Sequence, residues 1–289
     1  MIRKIFFFKK ILRLCLADFS QKFPNFKGKS RIIRILDSFL SSGSEPVIKT
    51  INSVTYQFDT RDIIDFRGFY FGVNEKSVLA YLAKSIGSNQ SVIWDVGANV
   101  GSVCLPLLSM CPNLIVHAFE PSPPVFSRLN VNINLNSNIS ERIYLENIAL
   151  SDSSGVIDFF VSNELENSGV GSLGKMHNTS NVPIQVNCCT GDELIMQKKI
   201  SIPSFIKIDV EGFEYEVLKG LMSFLKTSNA TQIVFEHEPY RLEERKLEKT
   251  SVIRLLKDLG FTLYAIDDDG LRSFSEAMLD AHHDFLACK

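Results

Sequence analysis

The sequence lacks several features that would assign a function class directly. Its formal net charge is only −2 at pH 7, and a nearly neutral chain gives no overall reason to expect a nucleic-acid partner. Its six cysteines form no Cys-x-x-Cys pair and lie beside no group of histidines, so no metal centre of the zinc type is expected. Free thiols are typical of a reducing compartment, which favours a cytoplasmic protein.

The first residues also lack the uninterrupted apolar run of a secretory signal. Lys9, Lys10 and Arg13 divide the apolar residues of MIRKIFFFKKILRLCLADF, whereas a signal peptide needs roughly 7–15 consecutive apolar residues. Two interpretations remain. The segment is either an interfacial helix in weak contact with an anionic membrane surface, or a helix that packs on the domain or frays from it. A cytoplasmic protein, free or peripheral to a membrane, fits both.

From residue 91 onwards the pattern alternates short apolar strands with helices. Near-continuous apolar strands separated by helices predict a mostly parallel sheet with helices on both faces. Two final strands without a helix between them indicate an antiparallel edge, and residues 155–162 and 182–189 predict an inserted hairpin. The remaining strands are predicted in 91–97, 114–120, 142–150, 204–210, 231–237, 261–267 and 282–289, and helices in 103–111, 123–136 and 251–260.

Ligands of such sheets bind beyond the carboxyl ends of the strands, so the residues after each strand are the candidate site. The first strand is followed by DVGANVG, residues 95–101, whose glycines allow a tight turn close to a ligand. The spacing is G-x-x-x-G and not the G-x-G-x-x-G dinucleotide fingerprint, which counts against a nicotinamide-dependent oxidoreductase. Taken alone, the segment is either a binding turn or an ordinary strand-to-helix turn.

Carboxylates follow the second, fourth and fifth strands. Glu120 can accept hydrogen bonds from two ribose hydroxyls, although a solvated charge would use the same residue. Asp209 ends an apolar strand, where a carboxylate is costly unless it is paired or faces a cleft. Glu211 either shares this site or serves the start of the next helix. His237, close to Glu236, is either a general base or a local hydrogen-bonding group.

A divalent metal would find hard oxygen ligands in Asp209 and Glu236. No third ligand is evident in the sequence, so no metal is expected. After the third strand, residues 147–155 offer polar groups, together with apolar Ala149 and Leu150, which suit a purine ring or an ordinary turn.

The motif series IWDVGANVG, VHAFEPSP, ENIALSDSSG, CTGDEL and IKIDVEGFEYEVLKG resembles that of the FkbM-type S-adenosylmethionine-dependent methyltransferases. The resemblance extends from about residue 91 to the end of the chain, and Asp-Val-Glu-Gly with the residues after it is its most specific element. Gly191 departs from the family's more usual leucine, which we expect to concern packing and not chemistry.

This resemblance implies a Rossmann-like, seven-stranded sheet with an antiparallel last strand in residues 91–289. Residues 1–90 would be an N-terminal extension of helices and short strands, serving the acceptor site or an interaction. The implied reaction is O-methyl transfer from S-adenosylmethionine to a hydroxyl of a small-molecule or glycan acceptor. Two alternatives are a nicotinamide-dependent oxidoreductase on a similar sheet and a non-catalytic binding protein that keeps the fold.

The resemblance also implies roles for individual residues. Glu120 would take the ribose hydroxyls, and Asp209 would face the amino group or the reacting methyl. Asp209, Glu211 and His237 are the catalytic candidates, in that order. The implied cofactor contacts are Asp95, Gly97, Ala98, Asn99, Gly101, Glu120, Pro121, Asn147, Ala149, Ser151 and Asp209.

Overall fold

The computed structural model describes residues 2–24, 26–41, 46–72, 75–161, 171–172, 182–281 and 283–289. In the N-terminal part, the described residues form four helices and one hairpin, in which β1 and β2 pair in antiparallel fashion. Among the described residues, no helix combines the length and the apolarity that crossing a bilayer requires. These elements are α1 (Ile2–Lys22), α2 (Lys29–Leu40), β1 (Val47–Ile51), β2 (Val54–Phe58), α3 (Ile63–Phe71) and α4 (Lys76–Ile86).

A buried polar network fastens α1 and α2 to α3. Asp37 of α2 accepts hydrogen bonds from Arg13 of α1 at 2.7 Å and from Tyr70 of α3 at 2.6 Å. Thr60 donates to the other oxygen of Asp37 at 2.8 Å, and all four side chains are buried. Charge-assisted hydrogen bonds of this kind are about twice as strong as neutral ones. The first helix is therefore packed on the domain and not frayed from it.

The rest of the chain alternates strands and helices as predicted. Two short 3₁₀ helices, Ser140–Arg142 and Glu276–Asp280, lie among them. The elements are β3 (Ser91–Val96), α5 (Cys104–Met110), β4 (Leu114–Phe119), α6 (Pro123–Asn134), β5 (Ile143–Glu146), β6 (Ala149–Leu150), β7 (Gly155–Val161), β8 (Gly171–Ser172), β9 (Ile184–Cys189), α7 (Gly191–Met196), β10 (Phe205–Ile208), α8 (Glu214–Lys219), α9 (Met222–Thr227), β11 (Gln232–His237), α10 (Pro239–Glu244), α11 (Ser251–Asp258), β12 (Thr262–Asp267), β13 (Gly270–Ser273) and β14 (His283–Cys288).

The large sheet has the strand order β13-β12-β14-β11-β10-β3-β4-β5. Neighbouring strands from β11 to β5 are parallel, and β14 runs antiparallel between β11 and β12. The predicted mostly parallel sheet with an antiparallel last strand is confirmed, and β13 adds an eighth strand at the edge. Residue 282, the first of the predicted last strand, lies outside the described residues.

A smaller sheet stands beside the large one in the order β6-β9-β7-β8. The antiparallel pairing of β7 with β9 agrees with the predicted inserted hairpin. The strand predicted over 142–150 is divided between the two sheets: β5 pairs with β4, whereas β6 pairs with β9. This division carries the chain from one sheet into the other at residues 147–148.

Both faces of the large sheet are covered by other elements. Alternate side chains of a strand point to opposite faces, so neighbouring residues enter different cores. Ile93 packs in a core with the N-terminal elements and α4–α6. Its neighbour Trp94 packs in a second core, built with α7–α9 and α11. A β-carbon on Gly191 of α7 would lie 2.3 Å from Cδ2 of Leu221, which is the packing reason for a glycine at that position.

Candidate functional site

The turn after β3 brings two strand ends into close contact. Gly97 has a φ of 81°, and a β-carbon added to it would lie 1.9 Å from the carbonyl oxygen of Asp209. The N–H groups of Gly97 and Ala98 both donate to the carbonyl of Phe119 at 3.0 Å. Only glycine fits this approach, which sets the ends of β3, β4 and β10 side by side.

The first cleft opens at these strand ends and contains six of the residues implied by the resemblance. Its apolar walls include Ile148, Leu150 and Phe159. Phe159 belongs to β7 of the inserted hairpin, which sequence reasoning did not assign to the site. The six implied residues that line this cleft are Gly97, Asn99, Glu120, Pro121, Ala149 and Asp209.

Backbone hydrogen bonds fix the carboxylate of Glu120 in the first cleft. Its Oε2 accepts from the N–H of Asn99 at 3.0 Å and its Oε1 from the N–H of Ser122 at 2.9 Å. The residue is 6% exposed, and burial raises the pKa of its carboxyl group to about 7. Each oxygen retains a second lone pair, so the carboxylate can accept two further hydrogen bonds from a ligand.

Five other implied residues support the cleft from behind and do not line it. Asp95 is 1% exposed and faces Lys207, while Ala98 lies in the hydrophobic core. The amide of Asn147 donates to the backbone carbonyls of Glu120 and Pro121 at 2.7 and 3.1 Å. Their implied cofactor contacts stay predictions. The five are Asp95, Ala98, Gly101, Asn147 and Ser151.

A second cleft of 520 Å³ adjoins the first and shares Gly97, Asn99, Asp209 and Glu211 with it. Volumes of 300–1,000 Å³ are usual for small-molecule sites. One wall comes from the N-terminal part of the chain, through β2 and α3. The lining side chains of that wall include Tyr56, Phe58, Ile64 and Arg67.

Lys207 is a functional candidate that the residue patterns did not single out. It lies in the middle of buried strand β10, with its Nζ 3.0 Å from Asp209, 3.7 Å from Asp95 and 3.8 Å from Glu75. Burial opposes its charge, but the three carboxylates outweigh that effect and raise the pKa of Lys207. A lysine inside the apolar run FIKID is itself a signal, since a buried charge requires partners.

Glu211, Glu236 and Glu238 line the second cleft, with carboxylate oxygens within 4.8 Å of one another. This cluster does not include Asp209, which the sequence paired with Glu236 as a possible metal ligand, and Arg241 forms ion pairs with Glu211 and Glu238. Burial, together with Asp209, raises the pKa of Glu236 to about 12 and that of Glu211 to about 8. Protons and Arg241 thus balance much of the negative charge.

The loop after β10 is held by Glu214 and not by Glu211. Glu214 accepts hydrogen bonds from the N–H groups of Val210 and Gly212 at 3.2 and 3.1 Å. Glu211 has a φ of 56° and extends towards Arg241. The alternative in which Glu211 serves the start of the next helix therefore fails, because Glu214 occupies that position.

His237 lies apart from both clefts. It is 1% exposed, its ring contacts Phe285 at a centroid distance of 5.8 Å, and its Nε2 lies 3.4 Å from the carbonyl oxygen of Leu279. The next residue back on β11, Glu236, faces the second cleft instead. Alternation along the strand turns His237 to the opposite face, so its predicted part in catalysis finds no support in this geometry.

Comparison with known proteins finds similarity over the segment that contains the first cleft. Residues 95–263 match the family model described as Methyltransferase FkbM domain. The hexuronic acid methyltransferase AglP of Haloferax volcanii is 29% identical over 185 residues, which cover 64% of this chain and 72% of that protein. The 2-O-methyltransferase NoeI of Sinorhizobium fredii is 28% identical over 178 residues, which cover 57% and 70%.

Among solved structures, the methyltransferase FkbM from Methylobacillus flagellatus KT aligns with a TM-score of 0.45 at 14% identity. The alignment covers 96% of this chain and 59% of that one.

Proposed function

This chain belongs to the FkbM family of methyltransferases, and on that premise we propose that it transfers the methyl group of S-adenosylmethionine to a hydroxyl of a sugar, glycan or secondary metabolite. The observation that carries the proposal is the junction of two clefts at Asp209. A group-transfer enzyme needs such a junction, because donor and acceptor must meet in a fixed orientation.

The first cleft suits S-adenosylmethionine in its chemistry. Glu120 offers two carboxylate oxygens to the ribose hydroxyls, and Ile148, Leu150 and Phe159 offer apolar surface to the adenine ring. Gly97 and Asp209 both line this cleft, and on this proposal the methionine portion lies beside them. When bound, this cofactor supplies an electrophilic methyl group on a sulfonium, which the carboxylate of Asp209 favours by its charge.

The second cleft suits an acceptor rich in hydroxyl groups. Tyr56 and Phe58 provide aromatic surface for the apolar faces of a ring, while Glu236, Glu238 and Arg67 provide acceptors and donors for its polar edge. A hexuronic acid methyltransferase and a 2-O-methyltransferase among the relatives favour a sugar hydroxyl. On this proposal the N-terminal extension, residues 1–90, contributes one wall of the acceptor site.

Asp209 is the proposed general base. It lines both clefts, and its ion pair with Lys207 at 3.0 Å fixes the position of its carboxylate at their junction. Asp209 would accept the proton of the acceptor hydroxyl. The bound cofactor would supply the methyl group and leave as the neutral thioether, so that a carbon–oxygen bond replaces the carbon–sulfur bond. Proton transfer to a positioned side chain typically contributes about 10²–10⁴-fold in rate.

Two measurements test the proposal. Calorimetric titration with S-adenosylmethionine and, separately, with NAD distinguishes the methyltransferase from an oxidoreductase. Binding of NAD alone would reject the proposal, and binding of neither would favour a non-catalytic protein with this fold. Transfer of labelled methyl groups to a panel of uronic acids, neutral sugars and phenolic metabolites then identifies the acceptor class, with Asp209→Asn as the catalytically impaired control.

A further inference from the structure

The helices α1 and α2 carry an apolar surface on the side away from the protein body. In α1, Phe8 and Phe19 are each 60% exposed; in α2, Ile35 is 51% and Phe39 is 73% exposed. These residues recur at helical spacing, opposite the buried positions of each helix. We call this surface the apolar face: Phe8, Leu12, Phe19, Ile32, Ile35 and Phe39.

The same segment carries a charge opposite to that of the rest of the chain. Residues 1–41 contain ten Lys and Arg but only two Asp, whereas the other 248 residues contain 21 basic and 31 acidic residues. Both of these acids are already paired: Asp18 with Lys49 at 2.9 Å and Asp37 with Arg13 at 2.7 Å. Exposed basic residues border this face at Lys22, three residues after Phe19, and at Arg31, four residues before Ile35. Lys27 is also exposed, in the connection between the two helices.

Apolar side chains flanked by basic ones are the two components of binding to an anionic lipid surface. A second copy of this chain would present the same positive charge, and two like-charged surfaces repel one another. An anionic membrane instead offers negative headgroups to the lysines and an acyl boundary to the phenylalanines. Charge complementarity therefore selects the membrane as the occupant.

Side-chain hydrogen bonds hold α1 and α2 firmly on the domain, so their apolar face has a fixed position from which it can dock. The network of Arg13, Asp37 and Tyr70 fixes α1 and α2 to α3. One turn away, Lys9 donates to the carbonyl of Phe39 at 3.2 Å, and at the other end of the pair Lys29 donates to the carbonyl of Ser20 at 2.7 Å. Residues of α3 in turn line the second cleft, so a membrane-bound helix pair would hold the acceptor cleft close to the lipid surface.

We propose that the apolar face of α1 and α2, with its surrounding lysines, docks the enzyme on an anionic membrane surface. This inference does not depend on the proposed reaction, since it rests on residues that line neither cleft. It extends the sequence-based interpretation of an interfacial helix from one helix to a packed pair with a defined contact face.

Flotation of the full chain with vesicles tests the proposal. One vesicle preparation contains phosphatidylcholine alone, and the other contains equal parts of phosphatidylcholine and phosphatidylglycerol. Removing two basic charges with Lys22→Gln and Lys27→Gln should weaken binding to the anionic vesicles about 30-fold, at about 1 kcal/mol per charge. The double variant Phe8→Ser and Phe39→Ser should abolish it, and added salt should weaken wild-type binding.

The control is a second exposed apolar pair, Met196→Ser with Ile202→Ser, at positions 76% and 62% exposed on the other side of the protein. This variant should float as the wild type does. Far-UV circular dichroism and thermal unfolding should be the same in all variants, which shows that each one is folded. Absence of flotation at low salt would overturn the proposal, as would equal flotation of the wild type and the phenylalanine variant. A wild-type dimer that dissociates in the phenylalanine variant would assign the face to a second copy instead.

Discussion

Replacement of Glu120 by alanine should weaken the binding of S-adenosylmethionine by about two orders of magnitude. The carboxylate is 6% exposed and can offer one remaining lone pair on each oxygen to a ribose hydroxyl. A hydrogen bond to a charged group contributes about 1.5–3 kcal/mol. Loss of two such bonds at the lower end of that range is about 3 kcal/mol, or roughly a hundredfold in Kd.

The same variant leaves two buried backbone donors, at Asn99 and Ser122, without their acceptor. Thermal unfolding must therefore accompany the titration. Glu120→Gln keeps one carbonyl oxygen in place and should give an intermediate affinity. Glu146→Gln is the matched control, because Glu146 ends the neighbouring strand β5 without lining the first cleft. A folded alanine variant with unchanged affinity would refute the assignment of Glu120 to the cofactor.

Three further outcomes follow from the geometry. Asp209→Asn should lower kcat by about 10²–10⁴-fold while cofactor affinity changes only a few-fold; an unaltered kcat in single-turnover kinetics would remove Asp209 as the base. Gly97→Ala should lower the Tm much more than Gly260→Ala does. Both glycines have a φ above 80°, but an added β-carbon at Gly260 meets no atom within 4 Å. The Gly260 variant therefore measures the backbone strain alone. Equal Tm shifts in the two variants would contradict the close approach of Gly97 to the carbonyl oxygen of Asp209. The pH dependence follows from Glu120 and Glu214, whose pKa values burial raises from 4.5 to about 7. The folded protein keeps protons there that the unfolded chain releases above pH 4.5, so these two groups make the free energy of unfolding fall as pH rises from about 4.5 to 7. In urea unfolding across that pH range, the free energy of unfolding of Glu214→Gln should fall less steeply than that of the wild type. An identical pH dependence in both proteins would contradict the raised pKa of the Glu214 carboxyl group.

The fold was largely predictable because it depends on local patterns. Apolar runs bounded by Gly and polar residues predicted seven strands of the large sheet, and the missing helix before β14 predicted its antiparallel direction. The eighth strand, β13, was missed because its residues 270–273 are all exposed and carry no apolar alternation. The division of the third strand was missed because nothing in residues 142–150 marks a change of sheet.

The first cleft was predictable for a related reason. Parallel strands place their carboxyl ends at one edge of a sheet, so Gly97, Glu120 and Asp209 had to lie near one another once their strands were recognised. Asn147 and Ser151 follow their strand in the same way, yet they support the cleft and do not line it. Position along a strand predicts which edge a residue occupies but not which way its side chain turns after the strand ends.

The sequence by itself determined the order of strands and helices, the glycine turn and the acids at the strand ends, because each depends on neighbouring residues. Tertiary structure alone decided the second cleft, where Tyr56 of the N-terminal hairpin faces Glu236 of β11 across a long separation in sequence. It also decided that Lys207 neutralises several acids and that Glu236, and not His237, faces the cleft. Those outcomes depend on which elements pack together and on the face that each side chain takes, and neither is contained in a local pattern.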